Sequence, residues 1–438
     1  MLYAAYQALT DVVGPWQQAA AWSSRALARG ARHLHPWPAP PGWHDVAAAH
    51  EVFARLRLTH RRPDFGITAV LPAEPGEIPA SADAAGAVAV TEEVVARRSF
   101  GTLLHLRRAD LAQAGDGGKP LPRVLVVAPL SGHFATLLAD TARTLLADHD
   151  VYITDWHNAR DVPLAEGRFG LGDYVETVID FIATLGEHVH VLAVCQPCVP
   201  VLAAAALMAQ RGHPAQPRSL TLMAGPIDTR INPTQVNVLA TGKPIQWFAD
   251  NLVHTVPWRH AGAGRKVYPG FLQLTAFMSM NPQRHRDAFR KLYDDRRGGD
   301  HAAADATASF YDEYFAVNDL PAEFYLETVE QVFQTHRLAR GDLVVNGEKV
   351  DCSAIRRSAL FTVEGERDDI CAIGQTVAAH DLCSGIKPWL KSHHVQLGVG
   401  HYGVFSGRRW RTQIYPRVRE MIHSVNGGGP GTRPGARP

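Results

Sequence analysis

The sequence predicts an α/β fold, with a mostly parallel, doubly wound sheet and an inserted helical cap. Three observations predict it. From Arg123 onward the short apolar runs RVLVVAP, VYITDW, HVHVLAV and RSLTLMAG are separated by helical patterns. Such runs, buried on both faces between amphipathic helices, belong to parallel sheets, and right-handed crossovers place helices on both sides. The alternation stops between about Ile231 and Arg340. It then resumes with SALFTVEG, VAAHDLCSGI, HHVQLGV and the terminal helix WRTQIYPRVREMIHSV.

The elements follow in order. Residues 1–60 read as helical, with Leu2, Tyr6, Leu9, Val13 and Trp16 at three- and four-residue spacing. Such a stripe faces a core or touches a hydrophobic body outside the protein. PAEPGEIPASADAAG, residues 72–86, reads as a loop. Val88–Val95 and Gly101–Leu106 form a hairpin of strands. The core sheet occupies 61–230 and 341–425, interrupted by a helical cap at 231–340. The cap carries Trp247, Phe248, Trp258, Phe271 and Phe277. These rings pack as the cap's own core or shape a groove. The glycine- and proline-rich tail, 426–438, is expected to be disordered. There is no internal repeat.

Composition narrows the functions. The chain has 438 residues, 46% hydrophobic and 20% charged, enough to bury a large core. Lys plus Arg is 44 against Asp plus Glu 43. That balance argues against nucleic acid, which needs a concentrated basic field. Five cysteines are too few for a disulfide framework and suggest a reducing, intracellular compartment. The longest apolar stretch, Cys198 to Ala209, falls far short of the roughly 20 residues of a membrane span. The opening MLYAAYQALTD has no basic region, so no secretory signal is expected. The histidine pairs His33/His35 and His188/His190 lack further ligands at metal spacing, so no metal is expected.

The strongest chemical signal is LAVCQPCVP, residues 192–200. A strand ends at Val194, Cys195 follows, and a helix begins at once. A nucleophile on a sharp strand-to-helix turn is the elbow of α/β-hydrolases. The helix N-terminus favours thiolate, and the N–H of Gln196 faces a developing oxyanion. Pro197 fits, because the first helical turn leaves its N–H unused. Ala193 and Pro197 replace both glycines of the usual G-x-S-x-G. A buried structural cysteine is the competing reading, and CQPC as a redox pair is another. A thiolate nucleophile needs a base and an orienting acid. Asp368 and Asp369 follow the strand SALFTVEG, and His401 follows the last strand. The order nucleophile, acid, base is that of α/β-hydrolases, each group after its own strand. His393 and His394 lie within a strand and are poorer candidates. A second oxyanion N–H comes from Ser131 or Gly132 in the loop APLSGHFATLL.

At these residues the chain resembles the intracellular poly(3-hydroxybutyrate) depolymerases. The resemblance runs over nearly the full length. It is densest in VCQPCVPVLAAAALMA, FTVEGERDDIC and HHVQLGVGHYGVFSGRRW. It implies Cys195 as nucleophile, His401 as base and Asp368, rather than Asp369, as acid. It also implies a cytoplasmic enzyme on storage granules, whose partner is the polyester surface. His133, Trp247, Phe248 and Tyr402 are candidates for contacting substrate. The chemistry requires no metal or bound cofactor, and either water or coenzyme A serves as acyl acceptor. The polyhydroxyalkanoate synthases are distant relatives whose nucleophile box keeps its glycines. A synthase-like acyltransferase and a non-catalytic granule-coat protein are the other readings. The sequence leaves the oligomeric state open, a homo-oligomer included.

Overall fold

The computed structural model describes residues 2–33, 42–72, 86–111, 121–280 and 282–426. At its centre lies a nine-stranded sheet: β1 (Ala69–Val70), β2 (Val88–Arg98), β3 (Gly101–Arg108), β4 (Arg123–Val127), β5 (Asp150–Trp156), β6 (His190–Val194), β7 (Ser219–Met223), β8 (Ala359–Gly365) and β9 (Lys391–Gln396). The spatial order is β1-β2-β3-β5-β4-β6-β7-β8-β9. β1, β2, β3 and β5 pair antiparallel in turn; all pairs from β5 through β4 to β9 are parallel. The fold is thus α/β with a mostly parallel sheet.

The order matters for function. From β4 the chain moves outward to β5, then returns to add β6 on the other side. The loops leaving β4 and β6 therefore diverge from neighbouring strand ends, opening a crevice at the carboxyl edge. Packing makes this edge rigid. Every residue of β6 and β7 is buried, as apolar runs covered on both faces require. The helix Leu171–Leu185 buries Leu171, Tyr174, Val175, Val178 and Ile182 along one face. The helix Cys198–Gln210 is buried from Cys198 to Met208. A helix apolar all round is a core helix, and this one supports the bend before it.

Between β7 and β8 the chain forms helices Gln235–Thr241, Ile245–Leu252, Gly270–Met280, Pro282–Gly298, His301–Tyr314 and Ala322–Thr328. It also forms a small antiparallel sheet from His254–Thr255, Lys266–Tyr268 and Leu320–Pro321. Sequence alternation cannot announce strands of two or three residues. Two other expectations shift. Within VAAHDLCSGI only Ala379–Leu382 is helical, because the preceding N–H groups of Thr376 and Val377 donate to Glu364. The last helix is divided into a wide turn, Trp410–Ile414, and Tyr415–Asn426. Pro416 stands at the junction, where its missing N–H breaks the ladder. Asn426 closes that helix, so it does not belong to the tail. Residues 427–438, 73–85 of the expected loop, and His35 lie outside the described residues.

Of the two readings of the N-terminal stripe, the core-facing one fails for Leu2, Leu9 and Trp16. Helix Leu2–His33 buries Tyr3 and Gly14 and half-buries Tyr6 and Val13, whereas Leu2, Leu9 and Trp16 are exposed. Aromatic anchors set the rotation of the helix. The Tyr3 hydroxyl donates to Asp319 Oδ2 at 2.5 Å, and Tyr6 stacks on Phe271 at 3.8 Å. Burial pushes the Asp319 carboxyl up to about 6. Leu9 and Trp16 are carried outward as a consequence.

Candidate active site

Cys195 stands at the first position after β6 with φ 67°, in the left-handed region that non-glycine residues rarely occupy. Such strain persists only where surroundings hold it. Here the Cys195 N–H donates to Met223 O at 2.8 Å, pinning the bend to β7. The Cys198 N–H donates to Cys195 O at 3.1 Å. Gly225 backs the turn: a Cβ there would stand 2.3 Å from Cys198 Sγ and 3.2 Å from Cys195 O. The Ala193 carbonyl accepts from Cys198 Sγ at 3.4 Å. Burial raises the Cys198 thiol well above its ordinary value, so Cys198 stays protonated while Cys195 is only partly buried. All five cysteines are free.

His401 begins a short turn after β9, and Asp368 lies in the loop after β8. His401 Nδ1 and Asp368 Oδ2 are 2.8 Å apart, both residues buried. The second carboxyl oxygen, Oδ1, accepts the N–H groups of Ile370 at 2.9 Å and Cys371 at 2.8 Å. Asp368 is therefore oriented by its own loop, while no such bond to His401 is made by Asp369. Burial disfavours a charged His401. The nearby Asp368 carboxylate and Cys195 sulfur outweigh it and raise His401 well above its ordinary value. His401 and Asp368 are thus paired, on the loops that follow β9 and β8, while Cys195 stands at the bend after β6.

The loop after β4 closes the site. Leu130 N–H donates to Gln196 Oε1 at 3.3 Å, tying this loop to the elbow. Gly132 has φ 89°, and a Cβ there would stand 3.1 Å from the Gln273 side chain. Its carbonyl accepts from Asn318 N at 3.0 Å. Ser131 and Gly132 thus sit where β4 ends, beside the β6 bend. The residues that hold this loop, Gln273 and Asn318, come from the cap side and carry no motif that sequence reasoning detects. Buried polar atoms without a partner remain around the loop: Gln196 Nε2, His133 Nε2 and Gln273 Oε1.

The four candidate substrate residues separate into two pairs. His133 is buried, stacks on Tyr314 at 5.1 Å and lies 6.1 Å from Phe277; burial lowers its imidazole to about 4. Tyr402 adjoins His401 and meets Phe310 at 5.8 Å and Tyr314 at 6.1 Å. These rings join both site loops to the cap helices. Trp247 and Phe248 contact each other at 5.4 Å, and neither shares a ring contact with the other pair. Sequence reasoning missed Glu364, which is fully buried. Its Oε1 accepts Thr376 N–H at 2.7 Å and Val377 N–H at 3.0 Å, and its Oε2 accepts Gly374 N–H at 2.9 Å. The signal was a charged residue inside a short, mostly apolar strand. Among the described residues, no three His, Cys, Asp or Glu side chains gather to hold a metal.

A sheet in this order, with a left-handed bend after β6 and an acid and histidine following β8 and β9, defines an α/β-hydrolase. Within that class, residues 224–426 match the family model described as PHB de-polymerase C-terminus. Over that stretch, just under half of its length, the chain is similar to that family. The matched stretch includes Asp368 and His401 and begins after Cys195. No curated protein matches the sequence. A structure of a lipase from Acinetobacter baumannii is similar at 13% identity and TM-score 0.42, over 76% of this chain and 92% of that one. A hydrolase of 2-hydroxy-6-oxo-6-phenylhexa-2,4-dienoate from Rhodococcus sp. gives 12% identity and TM-score 0.41, over 77% and 99%. A monoacylglycerol lipase from Paleococcus ferrophilus gives 13% and 0.39, over 70% and 96%.

Proposed function

We propose that the chain cleaves ester bonds of stored poly(3-hydroxybutyrate) inside the cell, through an acyl-enzyme on Cys195. The observation that supports this reading is the buried pair of His401 and Asp368, with 2.8 Å between His401 Nδ1 and Asp368 Oδ2, together with Cys195 at the left-handed bend after β6. Nδ1 is committed to Asp368, so Nε2 is the nitrogen left for the sulfur. His401 takes the proton of Cys195, and the thiolate attacks the ester carbonyl. The oxyanion receives the N–H of Gln196 and that of Ser131 or Gly132, each such donor typically contributing about 10²–10³ in rate. The C–O bond breaks, and the alcohol leaves with the proton from His401. Water, deprotonated by His401, then releases a 3-hydroxy acid and restores the thiol. Coenzyme A in place of water would release a thioester instead. No metal or bound organic group enters these steps. His133 and Tyr402 sit in the aromatic wall beside the reacting centre, suited to an apolar polyester; Trp247 and Phe248 fit a more distant contact.

Incubation with amorphous polymer, with and without coenzyme A, followed by mass spectrometry of protein and products, tests this. An acyl adduct on Cys195 and free 3-hydroxybutyrate or its oligomers are expected. Elongation of product from 3-hydroxybutyryl-coenzyme A alone would favour a synthase-like transferase, and polymer binding without an adduct a coat protein. Cys198→Ala should hold turnover within about threefold, since a buried thiol behind the bend serves as a small packing group. Equal damage at both cysteines, with activity following dithiol oxidation, would favour the redox reading.

A further inference from the structure

We infer that the outer face of the N-terminal helix is the surface by which this protein docks on its solid substrate, an uncharged apolar polyester. The inference rests on the functional reading above. The face runs along Leu2, Ala5, Leu9, Val12, Trp16 and Ala19, all exposed. Leu9 is 63% exposed, Val12 65%, Trp16 72% and the neighbouring Trp22 70%. Single exposed apolar side chains need no explanation, but a contiguous stripe on a folded protein marks an interaction site.

The face also indicates what covers it. Asp11 is the only charged side chain between Leu2 and Ser24. Arg259 Nη1 lies 2.6 Å from Asp11 Oδ2, so even that charge is paired. Helices that lie on anionic lipid surfaces carry many Lys and Arg along their polar face, and this stretch has none. A neutral ester surface offers nothing for such charges to bind, and a face whose one charge is held in an ion pair complements it. Arg259 adjoins Trp258, 87% exposed, so the pairing with Asp11 extends the apolar surface onto the cap.

The helix is fixed to the catalytic body rather than tethered. Tyr3 bonds Asp319 and Tyr6 stacks on Phe271. Phe271 belongs to the helix Gly270–Met280, whose Gln273 lies against Gly132 in the loop beside Cys195. Docking by this face would therefore hold the reacting centre at a set orientation to the polymer. A solid substrate cannot diffuse into a site, so the protein must be retained on its surface between cuts.

The test is a triple variant, Leu9→Glu, Val12→Glu and Trp16→Glu. Glutamate is a good helix former, and all three sites are exposed, so an unchanged circular dichroism spectrum and melting temperature are expected. Co-sedimentation with amorphous poly(3-hydroxybutyrate) particles reads binding without turnover. Turnover of a water-soluble 3-hydroxybutyrate trimer reads the site without docking. Particle binding should fall at least about tenfold, since three large apolar side chains lose their burial. Trimer turnover should stay within about twofold of wild type. A variant that sediments with particles as wild type does would overturn the inference. So would a wild type that is dimeric by light scattering while the variant is monomeric, or one that binds lipid vesicles but not particles. A wild type that binds particles through this face yet cleaves neither polymer nor trimer overturns the functional reading and leaves the docking surface standing.

Discussion

Cys195→Ala should abolish turnover of both polymer and soluble trimer, by at least about 10⁴-fold, with little change in melting temperature. The sulfur occupies the bend after β6, where backbone bonds to Met223 and Cys198 define its direction. Alanine keeps that backbone and removes only the attacking atom. The oxyanion donors and the His401–Asp368 pair remain, but without a nucleophile they have no intermediate to stabilise. Single-turnover release of 3-hydroxybutyrate, read beside a thermal melt, measures both halves. A residual rate above about a hundredth of wild type would show that the covalent step uses another atom, because nucleophile removal in such triads costs far more. Cys195→Ser should retain a small activity. A hydroxyl gives up its proton to His401 far less readily than a thiol does, so the serine is the weaker nucleophile.

The sheet was legible because β4 to β8 are largely buried on both faces, so their apolar runs stand out against polar turns, whereas the edge strand β9 is half exposed. The placement of Cys195, Asp368 and His401 after β6, β8 and β9 was legible for the same reason: strand ends can be read from the sequence. Rotations could not be. Leu9 and Trp16 look inward-facing by spacing, yet Tyr3 and Tyr6 have distant partners, Asp319 and Phe271, that turn them outward. Periodicity records that a helix has apolar faces; it does not record which face meets the body. The support of the loop after β4 was equally hidden. Gln273 and Asn318 reach Gly132 from the cap, and no local pattern announces a contact across about 140 residues or more.

Glu364→Ala should destabilise the fold by about 3 kcal/mol or more, among the largest effects for a single side chain that touches no reacting atom. The carboxyl group is fully buried at the end of β8. It accepts three backbone N–H groups, from Gly374, Thr376 and Val377. Alanine leaves all three donors without this partner, one of them buried and two part-buried, each costing about 1–3 kcal/mol if water cannot reach it. The loss spreads along a definite route. The same loop contains Asp368, and Thr376 Oγ1 accepts Gly225 N–H at 2.8 Å while donating to Gly225 O at 3.0 Å. Gly225 in turn packs behind Cys198 and Cys195. One carboxyl therefore joins the loop that carries the acid to the backing of the elbow. Urea denaturation of the variant should show a lower midpoint with an unchanged slope. At a temperature where it stays folded, kcat should also fall, because Asp368 no longer fixes the His401 ring. Glu364→Gln separates the two effects. Its oxygen keeps part of the N–H bonding and restores some stability, while its NH₂ faces donors and leaves the loop displaced. A variant with the midpoint of wild type would show that water or backbone rearrangement satisfies the three N–H groups without the carboxyl.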